Sequence, residues 1–131
     1  MLRVQSNLGP EIEDLIYRII GCCIAVHREL GPGLVEAIYN RAVALELEAQ
    51  GLPFEREKPF PVTYRGKRLY VHRVDLVVAN EVILELKAVD RLHPVHVGQA
   101  LSCLRVSKLR IALLINFNVA LLPEGIQRVA L

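Results

Sequence analysis

The first fifty residues place apolar side chains at the spacing of amphipathic helices. After Gly9-Pro10 an apolar residue recurs every three or four positions as far as Leu30, which predicts a helix over about 9–30. Gly31-Pro32-Gly33 ends this helix, because glycine adopts the left-handed cap and proline cannot continue the turn. A second helix is predicted from about Leu34 to Gln50.

The second predicted helix carries two apolar stripes. A helix that is apolar on two sides is typically packed between two layers of the fold. One stripe consists of Val35, Ile38, Ala42, Leu45 and Ala49, and the other of Glu36, Tyr39, Val43 and Leu47. Glu36 therefore lies at the N-terminal end of a largely apolar stripe.

Strand patterns begin at residue 54. Apolar runs and alternations predict strands at 54–64, 68–78, 81–89 and 109–116, with a shorter strand near 126–131. Helical spacing returns between Pro94 and Val106. This order predicts an α/β sandwich, in which helices flank a mixed central β-sheet in the order α-α-β-β-β-α-β plus a short C-terminal strand. We expect one domain over 1–131, with 9–30 as an N-terminal helix and 31–131 as the core.

Charged residues interrupt two of the apolar strands. Asp75 lies in the strand at 68–78, and Glu85 and Lys87 lie in the next one. Side chains alternate along a strand, so Glu85 and Lys87 share a face. A three-residue loop, Ala79-Asn80-Glu81, puts Asp75 opposite Glu85, whereas a two-residue loop puts it on the other face. Asn80 tolerates the left-handed conformation that three-residue loops use, so we favour that loop.

Two facing carboxylates need a compensating charge. At a separation of about 4 Å and an effective dielectric constant near 20, their repulsion is roughly 4 kcal/mol. Lys87 relieves part of it, and a divalent cation would relieve more, because Mg²⁺ and Mn²⁺ prefer oxygen ligands. The alternative hypothesis is a structural ion pair, or carboxylates that only face water.

Composition narrows the setting without deciding the function. The net charge is +2, from 16 basic and 14 acidic residues, so the total charge alone does not predict a nucleic-acid binder. Three cysteines, two of them adjacent, do not form a disulfide framework, which favours a reducing cytoplasm. No apolar run reaches the roughly 18 residues of a membrane span, so we expect no membrane association.

Several segments together resemble a known family. "DLVV" followed by "ILELK" resembles the D…ExK core of the PD-(D/E)xK nuclease superfamily, and "GLVEAIY" at 33–39 resembles the signature of its GxxExxY branch. "LGPG" and "PVHVGQ" at 94–99 strengthen the match, which covers the chain from about Ile12 onward. The resemblance implies a restriction-endonuclease-like core, in agreement with the predicted order of elements.

The resemblance also implies roles for individual residues. Asp75 and Glu85, with the Leu86 carbonyl, would bind Mg²⁺ or Mn²⁺, and Lys87 would activate the attacking water and offset the developing charge. Two further matches lie outside the hairpin: Glu36 corresponds to the acid of the first core helix, and Gln99 to the glutamine of the following helix. Superfamily members often carry an aromatic residue four positions after that glutamine, where this chain has Cys103.

Three further residues are candidate substrate contacts. Tyr39 belongs to the signature and could bond a carboxylate, although a core tyrosine with a satisfied hydroxyl is an equal alternative. His96 matches the family pattern and would contact phosphate, and a zinc site with His93 is a weaker alternative. Arg73 belongs to a basic group, the other members being Arg65, Lys67, Arg68 and His72. That group is either a solvated strand edge or a surface that follows phosphates. His27 is predicted to be a packed core histidine.

The sequence therefore favours a metal-dependent nuclease that acts on nucleic acid, with DNA as the preferred substrate. The alternative is a nuclease-like module that binds nucleic acid or protein with little or no turnover. A homodimer is a third hypothesis, prompted by the apolar excess of the chain.

Overall fold

The computed structural model describes residues 7–131. Its helices are α1 (Pro10–Leu30), α2 (Glu36–Ala49) and α3 (Pro94–Ser107). Its strands are β1 (Phe54–Tyr64), β2 (Lys67–Val78), β3 (Val82–Lys87), β4 (Ile111–Asn116) and β5 (Ile126–Val129), with a short 3₁₀ helix, Leu122–Gly125, before β5. The predicted domain limits, 1–131, include residues 1–6, which lie outside the described residues.

The five strands form one mixed sheet in the order β1-β2-β3-β4-β5. β3 and β4 are parallel, because α3 connects them, and the other neighbours are antiparallel. The predicted α/β sandwich with a restriction-endonuclease-like order of elements is confirmed. The 3₁₀ helix was not predicted, and β5 ends two residues earlier than expected.

The sheet separates two apolar layers. On one side α1 and α2 pack against residues such as Leu76, Leu84 and Ile115. On the other side α3 packs against residues such as Val77 and Ile83. β4 is buried along its whole length, as expected of a strand covered on both faces. His27 is buried, with Nε2 2.9 Å from the Val119 carbonyl oxygen, which confirms it as a core histidine.

α2 departs from the prediction of a helix between two layers. The stripe that includes Tyr39, Val43 and Leu47 is buried, whereas Val35 and Leu45 on the other stripe are 66% and 67% exposed. The prediction was wrong because α2 packs on α1 and the sheet from one side only. None of the helices among residues 7–131 has the length and apolarity that a membrane crossing requires.

The hairpin between β2 and β3 has the predicted register. Val78 pairs with Val82 and Leu76 with Leu84, so the three-residue loop is confirmed. Ala79 and Asn80 both have positive φ angles, 52° and 54°, and the Glu81 N–H donates to the Val78 carbonyl. This register brings Asp75 and Glu85 next to each other on neighbouring strands.

Candidate active site

Asp75 and Glu85 meet where β2 and β3 separate. The backbone ladder between the two strands reaches only Leu76 and Leu84. Beyond it, the Leu86 N–H donates to Asp75 Oδ2 at 2.7 Å, so a side-chain carboxylate takes the place of a backbone acceptor. The carboxyl groups of Asp75 and Glu85 are close enough for each to shift the pKa of the other. The pair is therefore fixed by the sheet rather than by loops.

An interruption in strand alternation turns Asp75 into this position. Val74 and Val77 both pack in the layer beneath α3, although they are three residues apart. Regular alternation would place them on opposite faces. Across from Asp75, Glu57 of β1 has a φ of 51°, so both strands are irregular at the same level.

Burial disfavours the charged form of both carboxyl groups. Burial, followed by the charge of Asp75, raises the pKa of Glu85 to about 8. Burial also raises the pKa of Asp75, although the Leu86 N–H and the Lys87 ammonium act in the opposite direction. The raised pKa values follow from two acids in a space with too little water to solvate both charges.

Glu36 and Asn40 approach the pair from α2. Asn40 lies close enough to lower the pKa of Asp75, and its side-chain N–H donates to the Glu36 carbonyl at 3.3 Å. Burial raises the pKa of Glu36, the Lys87 ammonium lowers it, and the Asp75 charge raises it again. The three acids and Lys87 therefore share one electrostatic environment.

The loop before α2 sets the position of Glu36. Gly33 has a φ of 103°, a conformation that favours glycine. The Tyr39 hydroxyl donates to the Gly31 carbonyl at 2.6 Å and accepts from the Leu34 N–H at 3.1 Å. Glu36 is the first residue of the helix that this loop starts. Gly33 and Tyr39 thus fix the loop that precedes α2, and this loop sets the position of the Glu36 carboxylate.

The structure corrects the expectation that Tyr39 contacts substrate. Its side chain is fully buried and stacks on Phe117, with ring centroids 4.5 Å apart. Its hydroxyl is occupied by the loop and bonds no carboxylate. Tyr39 is therefore the core tyrosine of the alternative hypothesis.

Replacing Tyr39 with phenylalanine tests this structural role. The change leaves the Gly31 carbonyl and the Leu34 N–H without their partner, so we expect the free energy of unfolding to fall by about 1–2 kcal/mol. Chemical denaturation followed by circular dichroism measures the loss. Tyr17→Phe is the matched control, because Tyr17 is 60% exposed; equal stabilities of the two variants would contradict the role.

α3 closes the other side of the site. A cavity of about 130 Å³ is bounded by Glu85 and Lys87 from β3 and by His96, Gln99 and Cys103 from α3. Gln99 is exposed and His96 is half-buried. The His96 Nδ1 accepts the His93 N–H at 3.1 Å, and burial followed by the Lys87 and His93 charges lowers the pKa of His96.

The remaining wall of this cavity comes from β2. Arg73 lines it together with Tyr70 and His72, and the Arg73 side chain is exposed. A larger cavity, of about 760 Å³, lies where α3 ends and β4 begins, and none of the predicted site residues lines it. Chemistry rather than size therefore identifies the candidate site.

Comparison with protein families decides the assignment. The profile of the PD-(D/E)XK nuclease superfamily matches residues 13–129. The chain belongs to the PD-(D/E)XK nuclease superfamily. No curated protein and no solved structure matches it. The match supports a nuclease-like function in general terms, and members of the superfamily generally depend on a divalent metal.

The donor set of this superfamily member fits a hard cation held in part by water. No three His, Cys, Asp or Glu side chains within 7–131 converge as a metal cluster. Mg²⁺, however, keeps several waters and is commonly held by one or two carboxylates and the substrate phosphates. Asp75 and Glu85 supply such a pair, and a cation would replace the proton that their raised pKa values favour. Among residues 7–131, no third side chain joins His93 and His96 to form a zinc site.

Two site residues were not predicted from the sequence. Asn40 lowers the pKa of Asp75, and its position four residues after Glu36, on the same helix face, was an available signal. Asn116 is buried, accepts the Val89 N–H at 3.0 Å and donates to the Val89 carbonyl at 2.8 Å. It thereby fixes the chain just after Lys87. The only sequence signal for Asn116 was one amide at the end of an apolar run.

Proposed function

We propose that this protein is a metal-dependent nuclease that hydrolyses phosphodiester bonds in nucleic acid, with DNA as the preferred substrate. One observation carries the proposal: Asp75 and Glu85 lie side by side at the ends of neighbouring strands, where the Lys87 ammonium lowers the pKa of both. Superfamily membership gives the reaction class, and this constellation supplies the groups that such a reaction needs.

We assign the cation to Asp75 and Glu85, with the Leu86 carbonyl as a further oxygen donor. Mg²⁺ or Mn²⁺ bound there would stabilise the negative charge that develops on the reacting phosphate. The Leu86 N–H already fixes Asp75 Oδ2, so this carboxylate is positioned before any ligand arrives. Preorganisation of this kind lowers the reorganisation needed during the reaction.

The other predicted residues have roles that follow from their positions. Lys87 lowers the pKa of both carboxyl groups, and in this proposal it would orient the attacking water and offset the developing negative charge. Glu36 contributes an outer contact from α2. Gln99, His96 and Arg73 line the cavity, where their donors suit phosphate oxygens.

Cleavage assays with single- and double-stranded DNA and RNA test the proposal. We expect cleavage in Mg²⁺ or Mn²⁺, none in EDTA, and none for Asp75→Asn, which should also lose metal binding measured by calorimetry. Glu81→Gln is the matched control, because it removes an exposed carboxylate from the same hairpin. A wild-type protein that binds neither metal, or an Asp75→Asn variant as active as the wild type, would end the proposal.

Within the superfamily we place the chain in the GxxExxY branch. Gly33, Glu36 and Tyr39 support this placement, because each has a defined part in starting α2 and aiming Glu36 at the site. We also propose that residues 31–131 are the nuclease-like core and that α1 is an added helix of the same domain.

A binding module without turnover is the second candidate. It is favoured by the raised pKa of Glu85, because a protonated Glu85 beside Asp75 removes the repulsion between the two carboxylates without a cation. Salt-dependent binding that survives Glu85→Gln, with no cleavage under any metal, would select this candidate.

Cytoplasmic location and a homodimer are two further proposals. All three cysteines are free and buried, which suits a reducing compartment. The exposed apolar stripe of α2 offers a surface for a second copy, and light scattering measures whether the protein pairs.

A further inference from the structure

The hairpin of β1 and β2 extends well beyond the rest of the sheet. β1 and β2 stay paired as far as Tyr64 and Lys67, whereas β2 pairs with β3 only over Leu76–Val78. Residues 59–73 therefore form a two-stranded projection, here called the arm, roughly 20 Å long at about 3.3 Å per residue. Leu69 has no partner in the register, and such a bulge increases local twist.

The base of the arm is fixed against α3 beside the active site. Phe60 packs on the apolar layer beneath α3. His72 Nε2 lies 2.8 Å from Ser102 Oγ, and the Tyr70 ring meets the His72 ring edge-on at 5.0 Å. Tyr70 is nevertheless 55% exposed and lines the cavity that holds Glu85. One aromatic ring is thus held in a defined orientation at the mouth of the site.

The arm concentrates positive charge. Its sequence, PFPVTYRGKRLYVHR, contains no aspartate or glutamate, while the whole chain is nearly balanced between 16 basic and 14 acidic residues. Its exposed cations are Arg65, Lys67, Arg68 and Arg73. No salt bridge found within residues 7–131 neutralises any of them.

The active-site cavity is too small to hold a substrate by itself. Its volume is about 130 Å³, and one water molecule occupies roughly 30 Å³ of liquid. Such a space accommodates a phosphate group with a few waters, but not a nucleotide. Most of the binding energy must therefore come from surface outside the cavity, and the arm is the surface that adjoins it.

The edge of the arm does not suit another protein strand. Pro59 and Pro61 lie two residues apart on β1, the outermost strand. Proline has no N–H to donate, and it blunts a sheet edge against strand addition. The exposed cations and tyrosine fit a polyanion with flat bases better than a peptide in extended pairing.

We propose that the arm holds the nucleic-acid strand, with backbone phosphates along Arg65, Lys67 and Arg68 and an unpaired base stacked on Tyr70 beside the cavity. This inference rests on the proposed nuclease function and adds a substrate class to it. Because a base must leave its pair to stack on a side chain, the preferred substrate is single-stranded, or carries unpaired nucleotides at the cleavage point.

Binding measurements without metal test the arm separately from catalysis. Fluorescence anisotropy with a labelled single-stranded oligonucleotide, in EDTA and at several salt concentrations, gives the affinity and its salt dependence. We expect Tyr70→Ala to weaken single-strand binding by about tenfold or more, and Tyr70→Phe to bind like the wild type. Tyr17→Ala, which removes an exposed tyrosine from α1, is the matched control.

The cations are tested together. Replacing Arg65, Lys67 and Arg68 by glutamine should reduce the slope of log affinity against log salt by about 2, since each single-strand phosphate contact contributes about 0.7. A control variant changes three exposed arginines elsewhere, Arg28, Arg41 and Arg105. It should leave this slope close to that of the wild type.

Different results would overturn the arm and the nuclease proposal. If Mg²⁺-dependent cleavage is present but the Tyr70 and triple arm variants bind and cleave like the wild type, the arm inference is wrong and the nuclease proposal stands. Tighter binding of fully paired duplex than of single strand would also overturn the arm inference. If cleavage is absent but the arm variants lose single-strand binding, the arm inference stands and the nuclease proposal fails.

Discussion

Replacing Lys87 with methionine is expected to lower the rate of phosphodiester cleavage by a factor of about 100 to 10,000. The Lys87 ammonium lowers the pKa of Asp75, Glu85 and Glu36. Without it these pKa values rise further, so fewer carboxylates are ionised at neutral pH and metal affinity falls as well. Methionine keeps the apolar length of the lysine stem, which limits the change in packing.

The comparison needs a variant that keeps the charge and one that removes a remote lysine. Lys87→Arg should retain carboxyl titration close to that of the wild type but cleave slowly, because the guanidinium is larger and planar. Lys58→Met removes a lysine of β1 that pairs with Glu55 at 3.1 Å, and it should cleave normally. Measuring kcat/KM across pH for these variants tests the catalytic role of Lys87. Cleavage by Lys87→Met at the wild-type rate would refute that role.

The hairpin shows how a loop preference can fix a strand register. Asn80 tolerates the left-handed conformation of a three-residue loop, which favoured that loop over a two-residue one and so predicted the pairing of Val78 with Val82. Both faces of these strands are apolar, so the choice between the two registers depended on the loop and not on which face is buried. The same register predicts that Asp75 lies beside Glu85.

α2 shows where this reasoning fails. Spacing identified both apolar stripes correctly, but spacing does not show which stripe another element covers. Val35 and Leu45 are exposed, and Tyr39 and Leu47 are buried, because only one face of α2 meets the sheet and α1. The error was therefore in the packing of the helix and not in its existence.

The sequence predicted the charged residues of the candidate site but not the hydrogen bonds that position them. Asp75, Glu85 and Lys87 stood out because charges are unusual in buried strands. The partner of the Tyr39 hydroxyl depends on the path of the Gly31-to-Leu34 loop, which no spacing rule gives. The bond from the Leu86 N–H to Asp75 depends on the separation of two strands, and that separation is visible only in three dimensions.

Glu85→Gln is expected to abolish cleavage and, in the same protein, to increase stability at pH 8. Burial and the Asp75 charge raise the pKa of Glu85 from its usual value of 4.5 to about 8. Between these two pH values the folded protein binds more protons than the unfolded chain, so the free energy of unfolding falls as pH rises. Glutamine stays neutral and avoids this loss, which we expect to be on the order of 2 kcal/mol because water still reaches the site.

Thermal unfolding in EDTA at pH 5 and pH 8 measures the difference. The wild type should lose stability between the two pH values relative to Glu85→Gln, whose Tm at pH 8 should be higher by several degrees. Glu81→Gln removes an exposed carboxylate of the same hairpin and should follow the wild type.

Mg²⁺ added at pH 8 should raise the Tm of the wild type and not that of Glu85→Gln, because a bound cation stabilises only the fold that holds its ligands. An equal response of both proteins to pH and to Mg²⁺ would show that Glu85 neither carries the raised pKa nor binds the metal. The nuclease proposal would then lose its central pair, because the strain that two neighbouring acids impose on the apo fold is what a divalent cation would relieve.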